Sequence, residues 1–126
     1  MTGVQTCALP IFTIEFWFNT TSVGGNYCTY FNLGQYTNGI LYRQNYTGIE
    51  IYFTNSQIIT PTGTIAINTW YHTALTRSGT TVNLYLNGNR IATTTSSASI
   101  SPTSSLMIGT SAHATGEAFQ IGRAHV

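Results

Sequence analysis

Residues 12–18 read FTIEFWF, and this stretch decides the fold because its apolar side chains return at every second position. A period of two places one set of side chains on one face of a strand: Phe12, Ile14, Phe16 and Phe18. Glu15 and Trp17 then share the opposite face. A strand with one fully apolar face predicts a half-buried sheet.

Outward from this strand, similar short runs follow one another, separated by turns that contain glycine or asparagine. The predicted strands are 27–31, 40–44, 49–53, 70–77, 82–86, 90–92 and 106–109. Asn87-Gly88 is the strongest hairpin signal, because both residues tolerate the positive φ of a type I′ turn. Residues 93–105 are expected to form a loop or a weak edge strand. No segment has helical periodicity, so the sequence predicts an all-β protein, an antiparallel β-sandwich.

The charge count excludes several classes of partner. The chain of 126 residues has four Arg, three Glu, no Lys and no Asp, so only 6% of its residues are charged, against roughly 25% in ordinary soluble domains. A nucleic-acid binder needs several cations on one face, and none cluster here. No apolar run reaches the length of a membrane span, so no membrane insertion is expected.

The two ends of the chain differ in amino-acid composition from the middle. Residues 1–11 read MTGVQTCALPI and residues 121–126 read IGRAHV. Back-translation makes both compatible with one DNA element in opposite orientations, as in a translated sequencing adapter. The alternatives are a true terminal strand and tail, or a signal peptide, which would need a basic start and a longer apolar run. We therefore predict that residues 12–120 form the domain and that 1–11 and 121–126 are adapter-derived.

Four segments, in order, resemble laminin-G-like domains of the concanavalin A-like lectin/glucanase superfamily. They are residues 12–17, 68–77, 82–88 and 106–109. The resemblance implies a jelly-roll sandwich of two curved antiparallel sheets. Family members usually carry a further strand before the first segment and a last strand of which only Phe119 is recognisable here. We therefore expect a fragment without its terminal strands, whose unpaired sheet edges favour aggregation.

The carboxylates give no catalytic pair. Glucanases of this superfamily use two carboxylates within reach of the scissile bond, but Glu15, Glu50 and Glu117 are scattered and no Asp is present. A Ser-His-Asp triad is impossible for the same reason. His72 alternates with Trp70 and Ala74 and is interpreted as a packed structural residue. The sequence-based prediction is that the chain is not an enzyme.

No metal site is expected in this chain. A zinc site needs three or four converging ligands, which the scattered His, Cys and Glu residues do not supply. The resemblance brings calcium into consideration, because many relatives bind it through Asp or Asn and backbone carbonyls. Calcium usually requires carboxylates among its six to eight oxygen ligands. We predict no cofactor here and leave calcium open for the full-length parent.

The remaining candidate for function is a surface rich in Tyr, Asn and Thr. Aromatic rings beside amide groups suit sugar recognition by CH-π stacking and hydrogen bonds, and they also suit protein contacts. The predicted ligand-binding residues are Trp17, Tyr36, Asn38, Asn45, Tyr46 and His113. The alternative is that the tyrosines pack as cross-strand pairs and only stabilise the sandwich.

These features together predict a non-catalytic binding or adhesion module. It would recognise a glycan or a protein surface as part of a larger multidomain chain, either extracellular or in a virion such as a phage tail. The alternative prediction is a purely structural virion or tail domain without a ligand. Neither function involves nucleic acid.

Overall fold

The computed structural model describes residues 11–21, 27–34, 38–102, 105–109 and 119–125, the last of these for the backbone only. The described residues form ten strands and no helix. The strands are β1 (Phe12–Thr20), β2 (Tyr27–Leu33), β3 (Ile40–Asn45), β4 (Gly48–Phe53), β5 (Ser56–Thr62), β6 (Trp70–Ser78), β7 (Thr81–Leu86), β8 (Asn89–Thr95), β9 (Leu106–Ile108) and β10 (Phe119–His125).

The strands build two five-stranded antiparallel sheets. The first sheet has the order β10-β1-β6-β7-β8, and the second has the order β5-β4-β3-β2-β9. The chain passes between the sheets after β1, β5, β8 and β9. The predicted antiparallel β-sandwich is confirmed.

The core lies between the sheets and is rich in aromatic rings. Phe16 and Phe18 of β1 are at most 3% exposed, as the alternation of residues 12–18 predicts. The Phe16 ring lies 5.5 Å from that of Tyr30 and 5.2 Å from that of Tyr42, both in the second sheet. Tyr30 and Tyr42 are themselves fully buried. For these two tyrosines the packing alternative therefore holds, and the contacts join the sheets by edge-to-face geometry that adds about 0.5–1.5 kcal/mol a pair beyond area burial.

A polar connection also crosses the core. The Tyr42 hydroxyl hydrogen-bonds Thr73 Oγ1 of β6, and the Thr73 hydroxyl donates to the Tyr85 carbonyl oxygen at 3.0 Å. Burial raises the pKa of Tyr42 well above its usual value. The hydroxyl therefore stays neutral and bonded, as a buried polar group requires.

A buried arginine closes one end of the core. Arg77 is 1% exposed, and its guanidinium lies 5.4 Å from the Phe53 ring centroid. Its Nε donates to the Gly79 carbonyl oxygen at 3.0 Å and its Nη2 to that of Ser96 at 3.1 Å. Burial lowers the pKa of Arg77. These bonds tie the β6–β7 turn to the chain that follows β8.

The turns agree with the sequence in part. Asn87 and Gly88 have φ values of 49° and 81°, so the predicted β7–β8 hairpin turn is confirmed. Strand β5 was not predicted. The turn before it is Thr54-Asn55, with φ values of 46° and 68°, and Pro61 within the strand argues against a strand. Its place at the sheet edge explains why proline is tolerated.

The last strand includes residues that we assigned to adapter DNA. β10 pairs with β1 in the register Phe16 with Ala124 and Thr20 with Phe119. The backbone of residues 121–125 thus extends the first sheet. Their origin from an adapter stays a prediction, because strand pairing does not depend on where the codons came from.

Candidate functional site

The outer face of the first sheet carries both tryptophans of the chain. Trp17 pairs with His72 and Asn19 pairs with Trp70 in the β1–β6 register, so the two indoles are diagonal neighbours on one face. Trp17 is 45% exposed and Trp70 is 46% exposed. The residues of this surface, which we call the tryptophan face, are Glu15, Trp17, Asn19, Trp70 and His72.

His72 lies at the centre of the tryptophan face and links its members. Its ring centroid is 5.3 Å from that of Trp17, and its Nε2 is 3.7 Å from Glu15 Oε2. Its backbone N–H donates to Asn87 Oδ1 at 2.9 Å. The His72 side chain is 26% exposed and that of Glu15 is 41% exposed. The imidazole therefore packs, as predicted, and also remains accessible.

The tryptophan face combines flat apolar surface with hydrogen-bonding groups. A sugar ring presents axial C–H groups to an aromatic ring and hydroxyls at its rim, so indole faces beside an imidazole and a carboxylate match both properties. Exposed large aromatics grouped on one surface mark binding sites more often than isolated ones do. The arrangement is suited to binding a hydroxylated ring.

A second polar cluster lies on the outer face of the other sheet. It consists of Tyr27, Arg43, Asn45, Glu50, Tyr52 and Gln57, and we call it the Arg43 cluster. Arg43 pairs with Glu50 across β3 and β4, and Tyr27 pairs with Asn45 across β2 and β3. The strand register, not proximity in sequence, brings these side chains together.

Glu50 is the anchor of the Arg43 cluster. It is 1% exposed, and it accepts hydrogen bonds from Arg43 Nε, from Asn45 Nδ2 at 3.2 Å and from Gln57 Nε2 at 2.8 Å. The Arg43 guanidinium carbon lies 3.8 Å from the Tyr27 ring centroid and 5.2 Å from that of Tyr52. A buried carboxylate with three donors and a cation stacked on tyrosine makes a rigid array.

Four of the six residues predicted to bind ligand lie among the described residues, and these four do not form one site. Trp17 lies on the outer face of the first sheet. Asn38 precedes β3 and Asn45 ends it, so these two lie at opposite ends of that strand. Tyr46 is 62% exposed in the β3–β4 turn. The other two, Tyr36 and His113, lie outside the described residues.

The sequence reasoning did not select Trp70, His72, Arg43, Glu50 and Gln57 as site residues. For Trp70 and His72 a signal was present, since both alternate along one strand. The partners of Glu50 carried no such signal, because they come from two other strands, β3 and β5.

The described residues contain no group of three or more His, Cys, Asp or Glu side chains close enough to hold a metal ion. Glu50, a carboxylate that could coordinate, already accepts three protein donors. No helix in the described part of the chain is long and apolar enough to cross a membrane.

Comparison with known families gives a match over most of the chain. The sequence model of a laminin G family, described as the concanavalin A-like lectin/glucanases superfamily, matches residues 5–122. No curated protein matches the sequence.

Solved structures with the same fold include two of the sialidase from Trypanosoma rangeli. One is a complex with 2,3-difluoro-KDN, at 14% identity and a TM-score of 0.64, covering 89% of this chain and 19% of that chain. The other is a complex with 2,3-difluorosialic acid, described as a covalent intermediate, at 12% identity and a TM-score of 0.64, covering 90% of this chain and 20% of that chain. The chain thus spans about one fifth of the sialidases, and at these identities the likeness shows the fold alone.

These neighbours correct one prediction. The prediction that the chain is not an enzyme is wrong, because two solved structures that share its fold are of a sialidase, which is an enzyme. It was based on a count of carboxylates within this segment. Such a count excludes no reaction when the same fold forms only a fifth of a larger enzyme.

Proposed function

The chain belongs to the concanavalin A-like lectin/glucanases superfamily, and on that premise we propose that it is a carbohydrate-recognition domain that binds sugar at the tryptophan face. The observation that carries this proposal is the exposure of Trp17 and Trp70, each nearly half accessible on one sheet surface. Two adjacent indoles expose apolar surface to water, so a ligand that covers them is stabilised by the burial of that surface.

The polar residues of the tryptophan face indicate the class of ligand. Glu15 accepts hydrogen bonds, and His72 donates or accepts according to its tautomer. Sugar hydroxyls donate and accept at the same time, so they satisfy both groups. The sialidase neighbours, whose complexes are with difluorinated sugar acids, support the proposal through the shared fold alone, which spans about one fifth of each of them.

The proposal extends to the setting of the domain. We propose that it serves adhesion or substrate targeting in a larger extracellular or virion protein. The support is compositional, because a surface built from Thr, Ser and Asn with few charges is typical of such proteins. A domain that anchors a longer chain on a glycan needs only moderate affinity when several copies act together.

The test is a glycan array of neutral and acidic saccharides probed with the 126-residue protein, followed by tryptophan fluorescence titration with the best-bound saccharide. Both indoles of the chain lie on the proposed surface, so binding there changes their emission. Trp17→Ala and Trp70→Ala are each expected to lower affinity about tenfold, or about 1.4 kcal/mol. Ile108→Ala, an exposed apolar residue on the other sheet, is the matched control and should leave affinity unchanged.

Two outcomes contradict the proposal. The first is that the wild-type protein binds no saccharide, which would favour the structural alternative. The second is that Tyr46→Ala lowers affinity more than Trp17→Ala does. That result would move the site to the β3–β4 turn, which holds Tyr46 and follows Asn45, two of the residues predicted from sequence.

A further inference from the structure

We propose a second carbohydrate-binding site at the Arg43 cluster, on the face of the sandwich opposite to the tryptophan face, and we infer that its ligand is a neutral sugar. The argument begins with what the cluster leaves unused. The Arg43 guanidinium donates to Glu50 through Nε, and within the described residues its two Nη groups make no hydrogen bond. The Nη groups form a fork of parallel donors.

The amides of the Arg43 cluster supply the complementary acceptors. Asn45 and Gln57 both direct their amide nitrogens at Glu50. Their carbonyl oxygens therefore remain as acceptors on the other side of each amide. The Nη donors of Arg43 and the carbonyl acceptors of the two amides thus lie around one buried carboxylate, that of Glu50. Adjacent hydroxyls of a sugar, each able to donate and accept, match this pattern.

Tyr27 supplies the apolar surface. Tyr27 is 45% exposed, and one face of its ring is covered by the Arg43 guanidinium at 3.8 Å. A pyranose therefore has to meet this pair at the rim of the ring, where its hydroxyls can reach both the Nη groups of Arg43 and Asn45, the cross-strand partner of Tyr27.

Charge favours a neutral ligand over an acidic one. Glu50 is ion-paired with Arg43, so the cluster carries no net charge. The buried Glu50 carboxylate already compensates the charge of the Arg43 guanidinium, so an anionic sugar would gain little electrostatic attraction at this site. Neutral hydroxyls form their hydrogen bonds without that attraction.

The second site is independent of the first because of the fold. The two sheets of a sandwich pack about 10 Å apart, and each site lies on the outer surface of its sheet. A sugar unit on one face contacts none of the residues of the other face. The Arg43 cluster contains no tryptophan, so binding there leaves tryptophan emission nearly unchanged.

The experiment uses the double variant Trp17→Ala/Trp70→Ala on the same array of neutral and acidic saccharides. We expect this protein to retain binding to at least one neutral saccharide, with affinity insensitive to 0.5 M salt as expected for uncharged contacts. Adding Tyr27→Ala or Arg43→Lys should lower that affinity more than tenfold. Arg43→Lys keeps the charge beside Glu50 and removes the fork, and Tyr27→Phe keeps the ring and should retain binding. Melting curves by circular dichroism check that each variant is folded.

Each other result overturns a defined part of the proposal. If the wild type binds a saccharide and the double variant binds none, the tryptophan-face function stands and the second site fails. If the double variant binds but Tyr27→Ala and Arg43→Lys have no effect, the second site is not at the Arg43 cluster. If it binds only acidic saccharides and salt abolishes that binding, the inferred ligand class is wrong. If the wild type binds nothing, both proposals fail.

Discussion

Replacement of Glu50 by Gln should destabilise the protein far more than the same replacement at Glu15. Glu50 is 1% exposed and accepts three donors, one of them from Arg43. The amide of Gln has nearly the same shape, but its nitrogen is a donor and would face donor groups. The Arg43 cation would also lose its counter-charge.

The magnitude follows from the burial of the two partners. Breaking a fully buried ion pair from one side costs about 3–5 kcal/mol. The Arg43 side chain is 20% exposed, so water can reach it, and we expect a loss of about 2–3 kcal/mol in the free energy of unfolding. For a chain of 126 residues this corresponds to a decrease in Tm of roughly 10 °C.

Glu15→Gln is the matched control. The Glu15 side chain is 41% exposed, and its partner is His72, at 3.7 Å. An exposed pair of this kind contributes about 0–1 kcal/mol, so its Tm should fall by no more than a few degrees. Thermal and urea denaturation of both variants, followed by circular dichroism, give the two differences. Equal midpoints for both variants would refute the reasoning that Glu50 anchors its cluster.

Two further predictions concern the turn and the core. Asn87 has a positive φ, and its side chain accepts the His72 N–H, so Asn87→Ala should lose about 1–2 kcal/mol. Asn87→Gly, which removes only the side-chain bond, should lose less, and the reverse order in urea denaturation would contradict this account of the turn. Burial raises the pKa of Tyr30 and of Tyr42 above the usual 10.0. Because the unfolded chain then releases these protons more readily than the folded protein, the free energy of unfolding should fall as pH rises above about 10. Ultraviolet titration of the native protein should show both tyrosines still neutral at that pH. Ionisation of both near pH 10, before the protein unfolds, would contradict their burial.

The fold could be predicted to the extent that each strand carried its own pattern. Residues 12–18 alternate strictly because one face of β1 packs on the core and the other faces outward. The Asn87-Gly88 turn was predicted because its conformation depends on those two residues alone. Strand β5 was missed because its turn, Thr54-Asn55, has no glycine, and because an edge strand tolerates Pro61. For β5, pairing with β4 and not the local sequence determines the strand conformation.

The candidate sites depended on register, which the sequence does not display. Alternation placed Glu15 and Trp17 on one face, and the structure confirms that. It could not reveal that Trp70 would lie diagonally across from Trp17, since about fifty residues separate them. The Arg43 cluster depends even more on register, because Tyr27, Arg43 and Glu50 belong to three strands. A shift of one residue in either pairing would turn one member of the cluster toward the core.

The hydrogen bond between Tyr42 and Thr73 has a mechanical consequence for the whole domain. The hydrophobic effect is non-directional, so burial of apolar surface does not by itself fix the offset of one sheet relative to the other. The bond from Tyr42 to Thr73 joins the two layers in the middle, and the Thr73 hydroxyl is held in turn by the backbone of β7. This hydrogen bond opposes sliding of one sheet relative to the other. It therefore favours a constant relative position of the tryptophan face and the Arg43 cluster, so that a partner bound at one surface is held in a fixed orientation to a partner bound at the other.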